Sequence, residues 1–283
     1  MTYGVAADRG APATRLRNDI KKLIETTELN SVVIDVKENK GTTISENLKK
    51  TVSDFHESGA WVIARMTMFR DNSQVKTHPE FYIKRGDGNV WRDNQGNMWL
   101  DAKSVLVWDY EIEEMKKAID IGFDEVQMDY VRFPSDGNMK DIVYPVYDSK
   151  KPKADAIKDF LARVNHEMKL YKPEIILSAD LFGYVSTHPE DLGIGQRLVD
   201  IGDSVDYISF MLYPSHYYAG FQVPADTERN LPALYIPYKG EAAEVVSSKP
   251  YDVVYRSILI AYDVLAGKTN FTSTTPKIGT TTS

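Results

Sequence analysis

The sequence predicts a parallel α/β barrel of the TIM type, and three observations carry that prediction. Short apolar runs of strand length alternate six times with segments whose apolar residues recur every three or four positions, the cadence of βα units in a sheet covered by helices. The runs are apolar almost throughout, as strands buried on both faces are. No G-x-G-x-x-G follows the first strand and no G-x-x-x-x-G-K-[ST] occurs, so the glycine loop that cradles phosphates in open nucleotide-binding sheets is missing. Acids stand near the ends of the second, fourth and fifth strands instead, which suits a barrel, whose reactive groups come from several strand ends.

Taken in order, residues 3–6 are short and apolar and read as a first strand, ended by Asp8 and Gly10. Leu16, Ile20, Leu23 and Ile24 then form a helical stripe. The β-branched run SVVIDV at 31–36 is the second strand, with Asp35 near its C-terminal end. Leu48, Val52 and Phe55 continue the helical period to Gly59, and 61–66 is the third strand, finishing near Arg65. Segment 69–107 breaks the rhythm: it is long, rich in Gly and Asn, and holds Trp91 and Trp99. Its NVWRDNQGNMW reads as a hairpin turning at Asn94, Gln95 and Gly96. A loop of this length is commonly functional, so it is expected to wall a cleft, with Trp91 or Trp99 stacking on a sugar ring. Pairing of the two indoles across the hairpin is the alternative.

The stretch at 122–134, GFDEVQMDYVRFP, organises the rest. Ile112, Met115, Ala118 and Ile119 mark a helix that Gly122 ends, since glycine takes the left-handed turn cheaply. Val126, Met128 and Tyr130 alternate with Gln127, Asp129 and Val131 until Pro134, which cannot continue a ladder. This fourth strand delivers Asp129 near its C-terminal end, the open rim of a parallel α/β architecture. After a second excursion to about Lys153, Ile157, Phe160, Leu161, Val164 and Met168 share a helical face. The fifth strand, EIILSAD at 174–180, also ends in an acid; 192–201 reads as helix, 205–213 as the sixth strand and 251–265 as a helix closed by Gly267.

The 283 residues suit one barrel domain, since such barrels occupy about 250; its bounds are read as 1–268, with 269–283 a frayed tail. The net charge is −7 and the 34 basic residues are scattered without a run of five, which excludes a nucleic-acid partner. Cysteine is absent, so disulfides, thiol nucleophiles and thiolate metal sites are excluded. The histidines show no H-x-H or H-x-x-x-H spacing, and neither a metal nor a cofactor is expected. MTYGVAADRG lacks a basic segment followed by an apolar run, and no apolar stretch approaches ~18 residues. A soluble chain is expected, with export of a longer form compatible with the lack of cysteine.

The chain resembles a bacterial family of glycoside-hydrolase-like domains, long catalogued as domains of unknown function and expected to be (βα)8 barrels. The pieces that carry the resemblance are VVIDVKENKG (32–41), ARMTMFRDN (64–72), HPEFYIK with VWRDNQGNMWLD (78–101), GFDEVQMDYVRFPS (122–135), SADLFGY (178–184) and DYISFMLYPSHY (206–217). The resemblance implies a carbohydrate substrate, with Asp129 as nucleophile and Asp180 as general acid. It implies that Asp35, Lys37, Arg65, Arg132, Tyr213 and His216 line the rim, with pairing to Asp136 as an alternative for Arg132. Relatives continue into a seventh and an eighth strand, whereas this chain passes through PKI at 276–278 into Gly, Thr and Ser. A barrel incomplete at its C-terminal strands is therefore expected.

Hydrolysis of a glycosidic bond needs one protonated and one ionised carboxyl group. Neighbouring strands lie ~4.8 Å apart, so Asp129 and Asp180 can reach the separation of about 5 to 5.5 Å that retention requires. Two rival readings remain. A chitinase-like barrel would use D-x-x-D-x-D-x-E on the fourth strand, but Gln127 and Val131 replace two of its acids and Pro214 stands where M-x-Y-D needs one. A non-catalytic carbohydrate-binding barrel would use the same aromatic rim without productive acids.

Overall fold

A computed structural model describes residues 1–239 and 245–268. The strands in chain order are β1 (Ser31–Glu38), β2 (Gly41–Thr42), β3 (Trp61–Thr67), β4 (Lys84–Arg85), β5 (Glu125–Asp129), β6 (Ile142–Val143), β7 (Ile176–Phe182), β8 (Tyr207–Met211), β9 (Phe221–Val223) and β10 (Leu234–Ile236). The helices are α1 (Tyr3–Ala7), α2 (Ala11–Thr26), α3 (Glu46–His56), α4 (Val105–Asp120), α5 (Lys153–Tyr171), α6 (Leu198–Ile201) and α7 (Pro250–Leu265). The fold is mixed α/β with a parallel central sheet. Its six strands are ordered β2-β1-β3-β5-β7-β8, and all pairs are parallel except the short β1–β2 ladder.

The parallel strands β1, β3, β5, β7 and β8 follow one another in chain order, so every parallel crossover steps the same way across the sheet and the helices collect on one face. That face is apolar. Val62, Ala64 and Met66 of β3, Val126 and Met128 of β5, and Leu177, Ala179 and Leu181 of β7 share one buried cluster with Val52 and Phe55 of α3, Met115 and Ala118 of α4, and Phe160, Leu161 and Val164 of α5. Each large side chain buried there contributes roughly 1.5–3 kcal/mol relative to exposure. The opposite face carries Asp35, Arg65, Gln127, Asp129, Asp180 and Ser209, joined across the strands by hydrogen bonds and ion pairs. Strand alternation puts the two chemistries on opposite sides.

Local signals place these elements. Ser45 caps α3 by accepting from the Leu48 N–H at 3.1 Å, and its buried stripe is Leu48, Thr51, Val52 and Phe55. After α4, Gly122 adopts φ +106°, a conformation that lets the chain reverse directly into β5.

Two expectations are corrected. Residues 3–6 are not a strand: they lie in α1, whose carbonyl at Val5 accepts from the Arg17 guanidinium at 2.6 Å, as does that of Asp8 at 2.5 Å. Arg17 is buried beneath that contact while Leu16 and Leu23 of the expected stripe are 49% and 47% exposed. Met1, just before α1, sits on the outer edge of β1, donating to the Val33 carbonyl at 2.5 Å and accepting from the Asp35 N–H at 2.9 Å. The helix expected over 192–201 shrinks to α6, because Leu192, Gly193 and Gly195 take positive φ and unwind the approach.

Segment 69–107 is a packed cap rather than an open loop. Bridges join Arg70 to Trp99, Tyr82 to Leu100, Lys84 to Val90 and Arg92 to Met98, and the expected hairpin turns through Gly96, whose N–H donates to the Asp93 carbonyl at 2.9 Å. Among the described residues β2 and β8 form the two edges of the sheet and do not pair. The tail at 269–283, with its PKI, lies outside the described residues. No helix among the described residues is long and apolar enough to cross a membrane.

Candidate active site

The site is the C-terminal end of the polar sheet face. Met128 pairs with Ala179 across β5 and β7, so the next residues, Asp129 and Asp180, stand side by side on neighbouring strands. β5 stops at Asp129 because Tyr130 turns to φ +52°, a left-handed conformation that costs roughly 1–2 kcal/mol for a residue with a side chain. That turn points the Tyr130 N–H back at Asp129 Oδ1, 2.7 Å away.

Arg65, on the facing register of β3, ties the acids together. Its guanidinium pairs with Asp35 Oδ1 at 2.7 Å, with Asp129 Oδ2, and with Asp180 Oδ2 at 3.8 Å. Burial works against the Arg65 charge, but Asp129 and Asp35 outweigh it and raise its pKa. Gln127, two residues before Asp129 and on the same face, donates to Asp180 Oδ1 at 2.7 Å and to Ser209 Oγ at 3.4 Å. Its own Oε1 is buried without a donor, an acceptor left over inside the cluster.

Asp129 and Asp180 are both 8% exposed. Burial, and then the negative charge of Asp129, push the Asp180 carboxyl up to about 7 against the pulls of Gln127 and Arg65. A carboxylic acid near 7 keeps a proton to donate at neutral pH, while its neighbour is salt-bridged to an arginine. Desolvation supplies the largest part of that difference, so the pair depends on its place in the folded sheet.

Several residues expected at the rim sit elsewhere. Lys37 is fully buried. The β1–β3 register shifts between Asp35 and Lys37, which turns the side chain to the helix side, where Nζ meets Asp71 and Glu111 at 3.0 Å each and donates to the Thr67 carbonyl at 2.6 Å. Burial opposes its charge, and Glu111 and Asp71 outweigh it. It is a core ion cluster rather than a ligand-binding group.

Trp91 and Trp99 are each 1% exposed, so neither offers a face to a sugar. Trp91 Nε1 donates to the Asn138 carbonyl at 2.9 Å, and its ring lies so close to Gly137 that a Cβ there would come within 2.7 Å. Trp99 Nε1 donates to Asp93 Oδ2 at 3.1 Å, and its ring meets Tyr130 edge-on at 5.9 Å. Through that contact the cap does adjoin the site.

Arg132 is buried near the acids and makes no ion pair with Asp136. It donates to the Phe133 carbonyl and to Ser135 Oγ, at 2.9 and 3.2 Å, and its guanidinium lies over Trp99, Tyr130 and Phe182. Tyr213 and His216 form an exposed aromatic pair, ring centroids 5.2 Å apart, in the segment after β8, with no hydrogen bond to either acid. Asp124, an acid of the chitinase-like pattern, lies before β5 at the far end of the sheet, bound to His56 and the Val62 N–H at 2.8 Å each. It cannot join the pair.

A family model described as "Putative glycosyl hydrolase domain" matches residues 6–276. The chain belongs to that family. Among solved structures, this family member is similar to a hypothetical protein from Ruminiclostridium thermocellum, 28% identical with a TM-score of 0.54, where 64% of this chain covers 95% of that one. It is also similar to a noncanonic maltogenic α-amylase from Thermotoga neapolitana, 16% identical with a TM-score of 0.51, where 77% of this chain covers 49% of that one. A search among curated proteins finds no match.

Gln127, Tyr130 and Arg70 belong to the site but were not singled out by the sequence. Gln127 was legible, because strand alternation puts it on the face of Asp129. Arg70, in the cap beyond β3, carries no sequence signal for its place over the Tyr130 ring, 3.8 Å from the ring centroid.

Proposed function

We propose that this chain is a glycoside hydrolase domain with a TIM-type (βα)8 architecture incomplete at its C-terminal strands, and that it retains configuration at the anomeric carbon. The observation that carries the reading is the divided acid pair: Asp180 holds its proton up to a pH of about 7 beside an arginine-paired Asp129. The chain order of the parallel strands and the one-sided helices support the barrel architecture, in which the polar face would line the lumen.

In this reading Asp180 donates its proton to the leaving glycosidic oxygen while an Asp129 oxygen attacks the anomeric carbon. The glycosidic C–O bond breaks, an alcohol departs, and a glycosyl ester of Asp129 forms. The Asp180 carboxylate then takes a proton from water, whose oxygen attacks the same carbon and releases Asp129. Arg65 positions Asp129 and limits the charge that builds between the carboxylates, and Gln127 orients Asp180.

A panel of aryl glycosides and bacterial polysaccharides tests the reading. Asp129→Asn should abolish turnover of any substrate found, since an amide cannot attack. Asp180→Asn should spare glycosides with very acidic leaving groups and cripple the rest. Full activity in both variants would remove the assignment, and saccharide binding without turnover in the unmodified chain would favour a binding barrel.

A further inference from the structure

Beside the acid pair lie two arginines that the proposed hydrolysis does not use. Arg70 and Arg132 both stack on Tyr130, the residue directly after Asp129, with guanidinium carbons 3.8 and 5.1 Å from its ring centroid. Arg132 also lies over Phe182, two residues beyond Asp180, at 4.7 Å. The pair thus spans the ends of β3, β5 and β7, where both acids are presented.

Neither arginine has a carboxylate partner within ion-pairing distance among the described residues. Arg70 is half-buried, its side chain makes no hydrogen bond, and its Nε is enclosed without an acceptor. Arg132 is 8% exposed and is satisfied only in part, by a carbonyl and a hydroxyl. A buried guanidinium is normally matched by an anion, because the cost of desolvating a charge is otherwise left uncompensated. Aromatic faces offset part of that cost. They cannot satisfy the in-plane donors, which match carboxylate, sulfate or phosphate oxygens. Burial lowers the Arg132 pKa to about 10, which leaves it cationic at neutral pH.

On the same end of the sheet Arg65 is matched by Asp35, Asp129 and Asp180, so the fold supplies carboxylates where it needs an arginine neutralised. At Arg70 and Arg132 it places none within ion-pairing distance among the described residues, although Asp129 and Asp136 act on Arg132 from further away.

We propose that Arg70 and Arg132, stacked on Tyr130, form a subsite for an anionic substituent of the saccharide, so that the substrate is an acidic glycan. This rests on the glycosidase reading for the adjoining acids. The substituent is an oxyanion on the sugar ring, the carboxylate of a uronate or a sulfate ester.

Calorimetric titration of the full chain carrying Asp129→Asn, which cannot turn substrate over, tests it. The probes are glucuronate- and galacturonate-containing trisaccharides, their methyl esters, which keep the shape and remove the charge, and sulfated trisaccharides with their desulfated forms. At least one charged probe should bind about tenfold or more tightly than its neutral form, the size of a charge-assisted hydrogen bond. The arm that shows the preference identifies the substituent. Arg70→Gln should bring that ratio to about threefold or less, and Arg70→Lys, which keeps charge without the planar fork, should restore part of it. Should Arg70→Gln melt well below the parent, salt serves instead. The preference should fall as ionic strength rises from roughly 50 to roughly 500 mM.

Equal binding of every charged and neutral pair, no binding of any charged probe, or an unchanged ratio in folded Arg70→Gln overturns the subsite. Preference for a charged probe without turnover of any glycoside leaves the subsite standing and removes the hydrolase reading. Turnover of neutral glycosides with no preference does the reverse.

Discussion

Asp180→Asn should make the protein more stable above neutral pH, and the size of the gain follows from the same environment that suits Asp180 to donate a proton. The carboxyl moves from an ordinary 3.8 to about 7 in the fold, chiefly by burial and then by the charge of Asp129. Each pH unit of such a difference is worth ~1.4 kcal/mol, so ionised Asp180 costs the folded state roughly 4 kcal/mol at most above pH 7. Local relaxation and water penetration around the carboxylate reduce this to about 2–4 kcal/mol. Because the folded-state pKa is raised, folding favours the protonated form: that contribution is full below pH 3.8 and is lost as pH rises through about 7. Asparagine offers one donor and one acceptor, as the protonated acid does, and never ionises. Urea unfolding of both proteins at intervals from pH 4.5 to 8.5, with linear extrapolation, should give a difference that is small at the acid end. It should grow to about 2–4 kcal/mol in favour of the variant at the alkaline end. A difference that stays level across the range would refute the raised pKa and, with it, the proton-donor role.

Three further outcomes follow from the same contacts. Arg65→Met leaves Asp35, Asp129 and Asp180 facing one another without their shared ion-pair partner; Arg65 holds Asp180 down, so the alkaline limb of kcat/KM should move to higher pH while the rate falls about a hundredfold or more, and an unmoved limb would show that Arg65 does not act on Asp180. Lys37→Met strips the buried Asp71 and Glu111 of their cation and should cost about 3–5 kcal/mol in denaturant unfolding; a change under about 1 kcal/mol would contradict the core ion cluster. Trp61 is 42% exposed, whereas Trp91, Trp99 and Trp108 are buried, so Trp61→Phe should remove most of the fluorescence that acrylamide quenches, and persistence of that quenching would mean that the cap opens.

Much of this molecule was legible because short-range sterics act over a few residues. The apolar spacing of 112–119, the glycine at 122 and the alternation from 126 sufficed to place α4, the turn and the start of β5, although the strand stops at Asp129, short of the expected Pro134, because Tyr130 turns left-handed. The absence of nucleotide-binding glycine loops excluded one large class of open sheets. The same alternation put acids at the ends of β5 and β7, and it could have put Gln127 on the face of Asp129.

What the sequence could not decide depends on which distant residues are brought together. Residues 3–6 have strand-like composition, but Arg17 reaches back from the next helix to the Val5 carbonyl and to that of Asp8 just beyond α1, contacts that suit a helical turn. Lys37 follows Asp35 at strand spacing, yet a register shift against β3 sends it to the core. Trp91 and Trp99 looked like stacking platforms until the cap folded over them, and Arg70, just beyond β3, lies over Tyr130, just beyond β5. The proton on Asp180 is the clearest case. Its pKa is set by burial and by charges on β3 and β5, more than fifty residues away in the chain, and only the paired sheet brings them within the few ångströms over which a weakly screened charge acts.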